Sequence, residues 1–223
     1  MGPIDLPDAL VFDLDGTIVD TESIEYESIR QVWASHGADY TITRFEQVIG
    51  TSSAANWHYE LEALTGRPVN ASVARDHYDQ VRAQLLSTLS ARPGIEALIK
   101  QASAAGVPLA VASNSTMAWA EARLGDLGLR DFFSAIITID IASHPKPHPH
   151  PYLEACAAVD AVPARSIAFE DSATGTASAR AAGLYTIACP IALSAGHDLS
   201  AAHQIIDSHT ELSLTDLGRA VRP

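Results

Sequence analysis

The stretch Ala9-Leu10-Val11-Phe12-Asp13-Leu14-Asp15-Gly16-Thr17 decides how the rest of the chain is interpreted. Its four leading apolar residues predict a short buried strand that ends where Asp13 begins a polar segment. Two carboxylates that leave a buried strand so close together repel each other and need a cation or a shared proton. Gly16 lets the backbone turn tightly, so that amide groups there can face an anion. A turn that begins a helix is the alternative, since Asp, Gly and Thr are common turn residues.

The segments on either side of Pro93-Gly94 differ in their hydrophobic pattern. Helical spacing predicts helices at about 21–36, 54–64 and 71–89. Apolar runs after Gly94 predict strands at 107–112, 135–139, 166–169 and 185–188, and helical segments lie between them. This alternation predicts an α/β fold, a Rossmann-like parallel sheet flanked by helices. Because the first strand precedes the helical block, we expect a catalytic core of residues 1–17 and 92–223, with a helical cap of residues 18–91 inserted.

Three more polar clusters are predicted near the ends of core strands. Ser113-Asn114-Ser115 could hold phosphate oxygens or could simply cap a helix. Lys146, between two prolines, could offer its charge to a phosphate and a carboxylate, or could be a surface lysine. Glu170 and Asp171 could bind a hard divalent cation, or could stabilise a helix N-terminus. Ligands of open parallel sheets bind beyond the carboxyl ends of the strands, so we expect these clusters to lie near Asp13.

Composition excludes several classes of function. The net charge of −13 argues against nucleic acid and anionic membrane surfaces as partners, because both need a positive surface. No apolar run approaches the roughly 20 residues that span a bilayer, and no secretory signal is recognisable, so we interpret the protein as cytoplasmic. Two cysteines, Cys156 and Cys189, are too few for a disulfide framework or a cysteine-based zinc site. The sequence does not indicate an oligomeric state, and a monomer is compatible with it.

The four clusters, taken in their order along the chain, resemble the motifs of the haloacid dehalogenase superfamily. Residues 13–17 match its Asp-x-Asp-Gly-Thr signature, and Ser113, Lys146 and the pair Glu170-Asp171 match its other three motifs. Residues 128–133 and 169–175 are similar to the subgroup that contains phosphoglycolate phosphatase and β-phosphoglucomutase. The resemblance covers nearly the whole chain and is weakest over residues 38–90 and after about residue 190.

This resemblance implies a magnesium-dependent phosphatase that forms an aspartyl phosphate. Asp13 would be the nucleophile, and Asp15 would protonate the leaving alcohol and then deprotonate the attacking water. Mg²⁺ would be bound by the Asp13 carboxylate, the Asp15 backbone carbonyl and Asp171, with Glu170 acting directly or through water. The phosphoryl oxygens would be held by Ser113, the Asn114 backbone and Lys146. The helical cap would act as a lid that excludes water.

The motifs do not name the substrate, so its class has to be inferred from the cap. We expect a small phosphorylated metabolite, a sugar or polyol phosphate, because a closing cap would exclude macromolecules. The small polar residues Gly50, Thr51, Ser52 and Ser53 could hydrogen-bond to its hydroxyl groups. A sugar-phosphate mutase of the β-phosphoglucomutase type is the alternative, but residues 18–91 contain no lysine to hold a second phosphate. A non-catalytic phospho-receiver module fits less well, since its acid pair precedes the phosphorylated Asp.

One further tract carries no role in this scheme. His144, His148 and His150 alternate with prolines, and a histidine-rich tract can bind metals. Alternating prolines are expected to give poor control of ligand geometry, so a solvated loop is the interpretation that the sequence favours.

Overall fold

The computed structural model describes residues 6–46 and 57–221, and the chain divides into two compact units. The core comprises the chain up to Asp20 and from Ser90 onward, and the insert spans Thr21–Leu89. Residues 18–20 and 90–91, which the sequence analysis assigned to the cap, group with the core in this division. The Arg92 N–H donates to the Ile18 carbonyl at 2.8 Å, and Val19 forms a bridge with Ala91. Within the described ranges, no helix is long and apolar enough to cross a membrane.

The described part of the insert is helical. Its helices are α1 (Thr21–Ser35), α2 (Ile42–Glu46), α3 (Trp57–Thr65) and α4 (Ala71–Leu86). Helix α4 begins where the Asn70 side chain accepts hydrogen bonds from the backbone of Ser72 and Val73. Tyr78 of α4 donates its hydroxyl hydrogen to Glu25 of α1 at 2.5 Å, so a polar contact ties these two helices together.

The core is built on a six-stranded parallel sheet, counted over the described residues, with the order β3-β2-β1-β4-β5-β6. The strands are β1 (Leu10–Phe12), β2 (Leu109–Ala112), β3 (Ala135–Ile137), β4 (Ile167–Glu170), β5 (Tyr185–Ala188) and β6 (Gln204–Ile205). The predicted parallel α/β sheet is confirmed. Strand β6 was not predicted, because two exposed residues give no apolar run.

The remaining helices belong to the core. They are α5 (Ile95–Ala104), α6 (Met117–Asp126), α7 (His150–Ala158), α8 (Ala173–Ala181) and α9 (Leu214–Ala220). Tyr152 and Ala155 of α7 pack in one buried cluster with Val11, Ala110 and Ala168 of the three central strands. Small residues on these strands allow α7 to approach the sheet closely, which brings Tyr152 near the strand ends.

The register of the central strands places their polar ends side by side. Phe12 of β1 pairs with Val111 of β2 and with Phe169 of β4. The rings of Phe12 and Phe169 also stack, with their centroids 4.6 Å apart. The next residue after Phe12 is Asp13, and the next after Phe169 is Glu170. Asp13 and Glu170, which are far apart in the sequence, therefore lie at the same level at the end of the sheet.

Candidate active site

Lys146 lies between two carboxylates at the carboxyl end of the sheet. Its Nζ is 2.6 Å from Asp13 Oδ1 and 2.5 Å from Glu170 Oε1, and all three side chains are buried. Nζ also donates a longer hydrogen bond, of 3.3 Å, to the hydroxyl of Tyr152. Hydrogen bonds between charged groups are roughly twice as strong as those between neutral groups. Lys146 thus fixes the positions of both acids.

Glu170 is held on both of its oxygens. Tyr152 donates its hydroxyl hydrogen to Oε1 at 2.7 Å, and Ser172 donates to Oε2 at 3.1 Å. The Ser172 hydroxyl also caps α8 by accepting the Gly175 N–H at 3.0 Å. Gly175 permits a close approach, because a Cβ atom there would overlap the Glu170 carboxylate. The first turn of α8 therefore forms a cradle for Glu170 that only glycine allows.

Asp171 lies in the same cluster but has weaker hydrogen-bond partners. Among the described residues it accepts hydrogen bonds of 3.4 Å from Thr17 and 3.5 Å from Ser194, both at the long limit for hydroxyl donors. Its carboxylate packs against Gly16, where a Cβ atom would overlap it. A buried carboxylate with such weak partners loses hydration without full compensation, and it would gain from a nearby cation.

The charges of the cluster do not balance. Carboxylate oxygens of Asp13, Glu170 and Asp171 all lie within 4.8 Å of one another, and Lys146 supplies one positive charge among them. Burial raises the pKa of Asp13 to about 8; Lys146 opposes this rise, and Glu170 and Asp15 add to it. Burial also raises the pKa of Asp171 well above its usual value, and the charges of Asp13 and Glu170 raise it further.

The pKa of Lys146 shifts in the same direction. Burial alone would lower the pKa of Lys146, but the charges of Asp13 and Glu170 raise it by more. All these shifts mean that the site favours positive charge, whether as protons or as a cation. Three ionised carboxylates against one ammonium leave two negative charges, which a divalent cation would neutralise. Carboxylate oxygens are also the ligands that hard divalent cations prefer. The cluster therefore fits a divalent metal ion.

Asp15 is positioned by two residues from the segment after β2. Its Oδ2 accepts a hydrogen bond of 2.5 Å from the Ser115 hydroxyl, and its Oδ1 accepts one of 2.8 Å from the indole N–H of Trp119. Trp119 lies in the first turn of α6, whose N-cap is Thr116. The carboxylate is thus held by a rigid aromatic donor and by a small hydroxyl donor.

Ser113 and Asn114 lie where β2 ends, as the sequence predicted. Ser113 is buried, and its hydroxyl accepts the backbone N–H of Ser115 at 2.9 Å. The Asn114 side chain accepts the Lys146 N–H at 2.8 Å and donates to the Lys146 carbonyl at 3.2 Å. This pair of bonds fixes the backbone of the Lys146 loop, a role for the Asn114 side chain that the sequence did not indicate.

Arg92 connects two loops near the acidic cluster. It donates hydrogen bonds to the carbonyl of Gly16 at 2.5 Å, to that of Cys189 at 2.7 Å and to that of Pro190 at 3.0 Å. One side chain therefore ties the turn after β1 to the segment after β5. Its charge also lowers the pKa of Asp171, although burial and the neighbouring acids outweigh this effect.

The structure brings most of the predicted site residues together. Asp13, Lys146, Glu170 and Asp171 form one cluster, while Ser113 and Asn114 lie beside it and Asp15 faces α6. Gly50, Thr51, Ser52 and Ser53, the predicted substrate contacts, lie outside the described residues. Sequence reasoning missed the supporting residues Tyr152, Trp119 and Arg92, and it assigned Ser115 to a phosphate-binding cluster and not to a contact with Asp15. The only available signal was proximity in the chain, since Ser115 and Tyr152 closely follow predicted motifs.

Known proteins are similar to this chain over most of its length. The Bacillus subtilis protein YhcW is 34% identical over 182 residues, which cover 82% of this chain and 83% of YhcW. The Escherichia coli fructose-1-phosphate phosphatase YqaB is 31% identical over 178 residues, covering 78% of this chain and 92% of YqaB. The crystal structure of CbbY from Rhodobacter sphaeroides in complex with phosphate superposes with a TM-score of 0.71 at 26% identity, over 93% of this chain and 97% of CbbY.

A family profile provides a further comparison. The profile described as haloacid dehalogenase-like hydrolase matches residues 10–189, from β1 to the segment after β5. The match thus includes all four motifs that form the acidic cluster and its surroundings. The chain belongs to the haloacid dehalogenase-like hydrolase family.

Proposed function

We propose that the protein is a phosphatase that hydrolyses small phosphomonoesters through an aspartyl-phosphate intermediate on Asp13. The observation that carries this proposal is the buried contact of Lys146 with both Asp13 and Glu170 at the strand ends. A carboxylate held in place next to a cation can attack a phosphoryl group whose negative charge would otherwise repel it. Family membership and the named phosphatase YqaB support the same activity.

In the first step, an oxygen of Asp13 attacks phosphorus while the bond from phosphorus to the leaving oxygen breaks. Lys146 is suited to the phosphoryl group, because its bond to Tyr152 is the longest of its three and can be exchanged for a phosphoryl oxygen. The Ser113 hydroxyl and the Asn114 backbone would complete the contacts to the phosphoryl oxygens. Since Glu170 keeps Lys146 in position, the ammonium need not reorganise during the transfer.

Asp15 would move the protons. It donates a proton to the leaving oxygen in the first step and takes one from the water that attacks phosphorus in the second. Inorganic phosphate then leaves, and Asp13 is regenerated as a carboxylate. Ser115 and Trp119 hold Asp15 by its two oxygens, so they orient the carboxyl group for both transfers.

Mg²⁺ is the cofactor that we propose for the acidic cluster. Asp13, Asp171 and the backbone carbonyl of Asp15 would hold it, whereas Glu170 acts through Lys146 because both of its oxygens are already hydrogen-bonded. When bound, Mg²⁺ supplies charge neutralisation between the carboxylates and the phosphoryl oxygens.

The substrate that we propose is a phosphorylated sugar or polyol. YqaB is named for a sugar phosphate, and CbbY was crystallised with phosphate, so both relatives handle small anions. The predicted contacts at residues 50–53 and the role of the insert as a lid stay predictions. Mutase activity is the alternative, and assays should follow isomerised sugar phosphate together with free phosphate.

The first prediction concerns Asp13 and Asp15, the two aspartates that follow β1. Asp13→Asn removes the nucleophile, and phosphate release should fall by more than about 10³-fold. Asp15→Asn removes the transferable proton, and kcat should fall by about 10²- to 10⁴-fold. Phosphate release is measured with hexose 1-phosphates, hexose 6-phosphates, phosphoglycolate and glycerol phosphates as substrates.

Asp131→Asn is the matched control, because Asp131 is an exposed carboxylate on the core that belongs to none of the strand-end motifs. It should leave kcat unchanged, and circular dichroism should show that all three variants are folded. More than a few per cent of activity in a folded Asp13→Asn preparation would refute the mechanism. Isomerised sugar phosphate forming faster than free phosphate would favour the mutase instead.

The second prediction concerns the metal. Chelation with EDTA should stop phosphate release, and Mg²⁺ should restore it, because the three carboxyl groups of the acidic cluster, once ionised, need more positive charge than Lys146 supplies. Ca²⁺ should restore activity poorly, since it takes more ligands and accepts bidentate carboxylates that would occupy the attacking oxygen. Full activity after exhaustive chelation would contradict the proposed site.

The third prediction tests the cradle around Glu170. Gly175→Ala should displace the Glu170 carboxylate and loosen Lys146, which should lower kcat by about 10²-fold. Gly125→Ala is the matched control, because Gly125 is also a helical glycine but has open space where a Cβ atom would lie. The control should keep kcat and gain up to about 1 kcal/mol in the free energy of unfolding. Equal kcat values for the two variants would show that Glu170 does not depend on the cradle.

A further inference from the structure

Three histidines that the proposed mechanism does not use converge beside the Lys146 loop. His144 and His148 are exposed, and His150 is partly exposed. One ring nitrogen from each of them lies within 4.8 Å of the others, and the Nδ1 atoms of His144 and His150 are 3.0 Å apart. The loop is therefore solvated, as the sequence favoured, yet its imidazoles meet in a way that the alternating prolines were not expected to allow.

We propose that His144, His148 and His150 form a second metal site that takes a divalent transition-metal ion such as Zn²⁺ or Ni²⁺. Imidazole nitrogen is a preferred ligand of these ions, whereas Mg²⁺ prefers oxygen. In a tetrahedral zinc site with Zn–N bonds of about 2.0–2.1 Å, the ligand nitrogens lie about 3.4 Å apart. Exposed side chains change rotamer within nanoseconds, so these rings can reach that spacing without moving the backbone.

The backbone that carries the three rings is already held in place. His150 is the first residue of α7, and the His148 carbonyl accepts a hydrogen bond of 2.6 Å from Ser178 of α8. The His148 N–H donates to the carbonyl of Pro145 at 3.0 Å. Prolines between the histidines restrict the backbone further. Metal binding would therefore order little more than the imidazole rings, which lowers its entropic cost.

The charges around the rings also favour a cation. Glu154 lies one helical turn after His150. Its carboxylate accepts hydrogen bonds of 3.1 Å from the Ser143 N–H and of 2.8 Å from the Ser143 hydroxyl, and Ser143 directly precedes His144 in the chain. A carboxylate is thus placed beside the segments that carry His144 and His150.

The ligands lie on both sides of Lys146 in the chain. An ion bound by His144, His148 and His150 would join the two ends of the loop that carries Lys146, on its solvent-exposed side. The Asn114 side chain holds the same loop from inside, through the N–H and the carbonyl of Lys146. The second site would therefore restrain the segment that presents Lys146 to the acidic cluster.

Competition for Zn²⁺ with a chromophoric chelator tests the site. The protein is used without a histidine tag and with excess Mg²⁺, so that Mg²⁺ fills the acidic cluster. We expect one Zn²⁺ per chain, bound at least about tenfold more weakly after His148→Gln and after His144→Asn. His197→Asn is the matched control, since it removes a histidine elsewhere on the core, and it should leave the affinity unchanged.

Thermal unfolding provides a second readout that does not depend on activity. Zn²⁺ added in excess Mg²⁺ should raise the Tm of the native protein and of His197→Asn, but not that of His148→Gln, because ligands stabilise the state that binds them. Equal zinc affinity in the native protein and in His148→Gln would overturn the proposal. Displacement of all Zn²⁺ by Mg²⁺ would do so as well, because it would place the ion on the carboxylates. Neither result would bear on the proposed phosphatase activity.

Discussion

The contact of Lys146 with Asp13 and Glu170 is the interaction on which the rest of the site depends. Removing one partner of a buried ion pair typically costs about 3–5 kcal/mol, because the remaining charge stays buried without compensation. Much of the surrounding structure holds these three groups in place. Asn114 fixes the backbone of Lys146, and the cap of α8 fixes Glu170. When its carboxyl groups are ionised, the cluster has an excess of negative charge, so the expected metal dependence follows from the packing of the core.

The fold holds the catalytic carboxylates on rigid elements. Asp13 and Glu170 leave adjacent parallel strands at the same level, since Phe12 pairs with Phe169 in the register of β1 and β4. A parallel sheet buried on both faces moves little, and catalytic groups on such elements keep their separation during phosphoryl transfer. Lys146 comes from a loop instead, and it needs the Asn114 clamp. The proposed histidine site would add a second restraint to that loop from the solvent side.

Sequence reasoning predicted the sheet and the residues at its ends because both leave local signals. Each central strand is an apolar run that stops at a polar residue, and Asp13, Ser113 and Asp171 mark those stops. Arg92 and Trp119 left no such signal, because their partners Gly16 and Asp15 lie 76 and 104 residues away in the chain. The convergence of the three histidines also depends on how α7 and α8 hold the loop, which the proline pattern alone did not indicate. The substrate contacts predicted at residues 50–53 lie outside the described residues, so specificity stays a prediction.

The central claim is that Asp13 carries the phosphoryl group during turnover. Acid quenching during the steady state, followed by digestion and mass spectrometry, tests this claim directly, because an acyl phosphate survives brief exposure to acid. We expect a phosphorylated peptide that contains Asp13, that loses its phosphoryl group in mild base and that is absent from Asp13→Asn. A phosphoryl group on a different residue would contradict this claim. Phosphate release at full rate in Mg²⁺, with no phosphorylated protein detected at any time, would also contradict it.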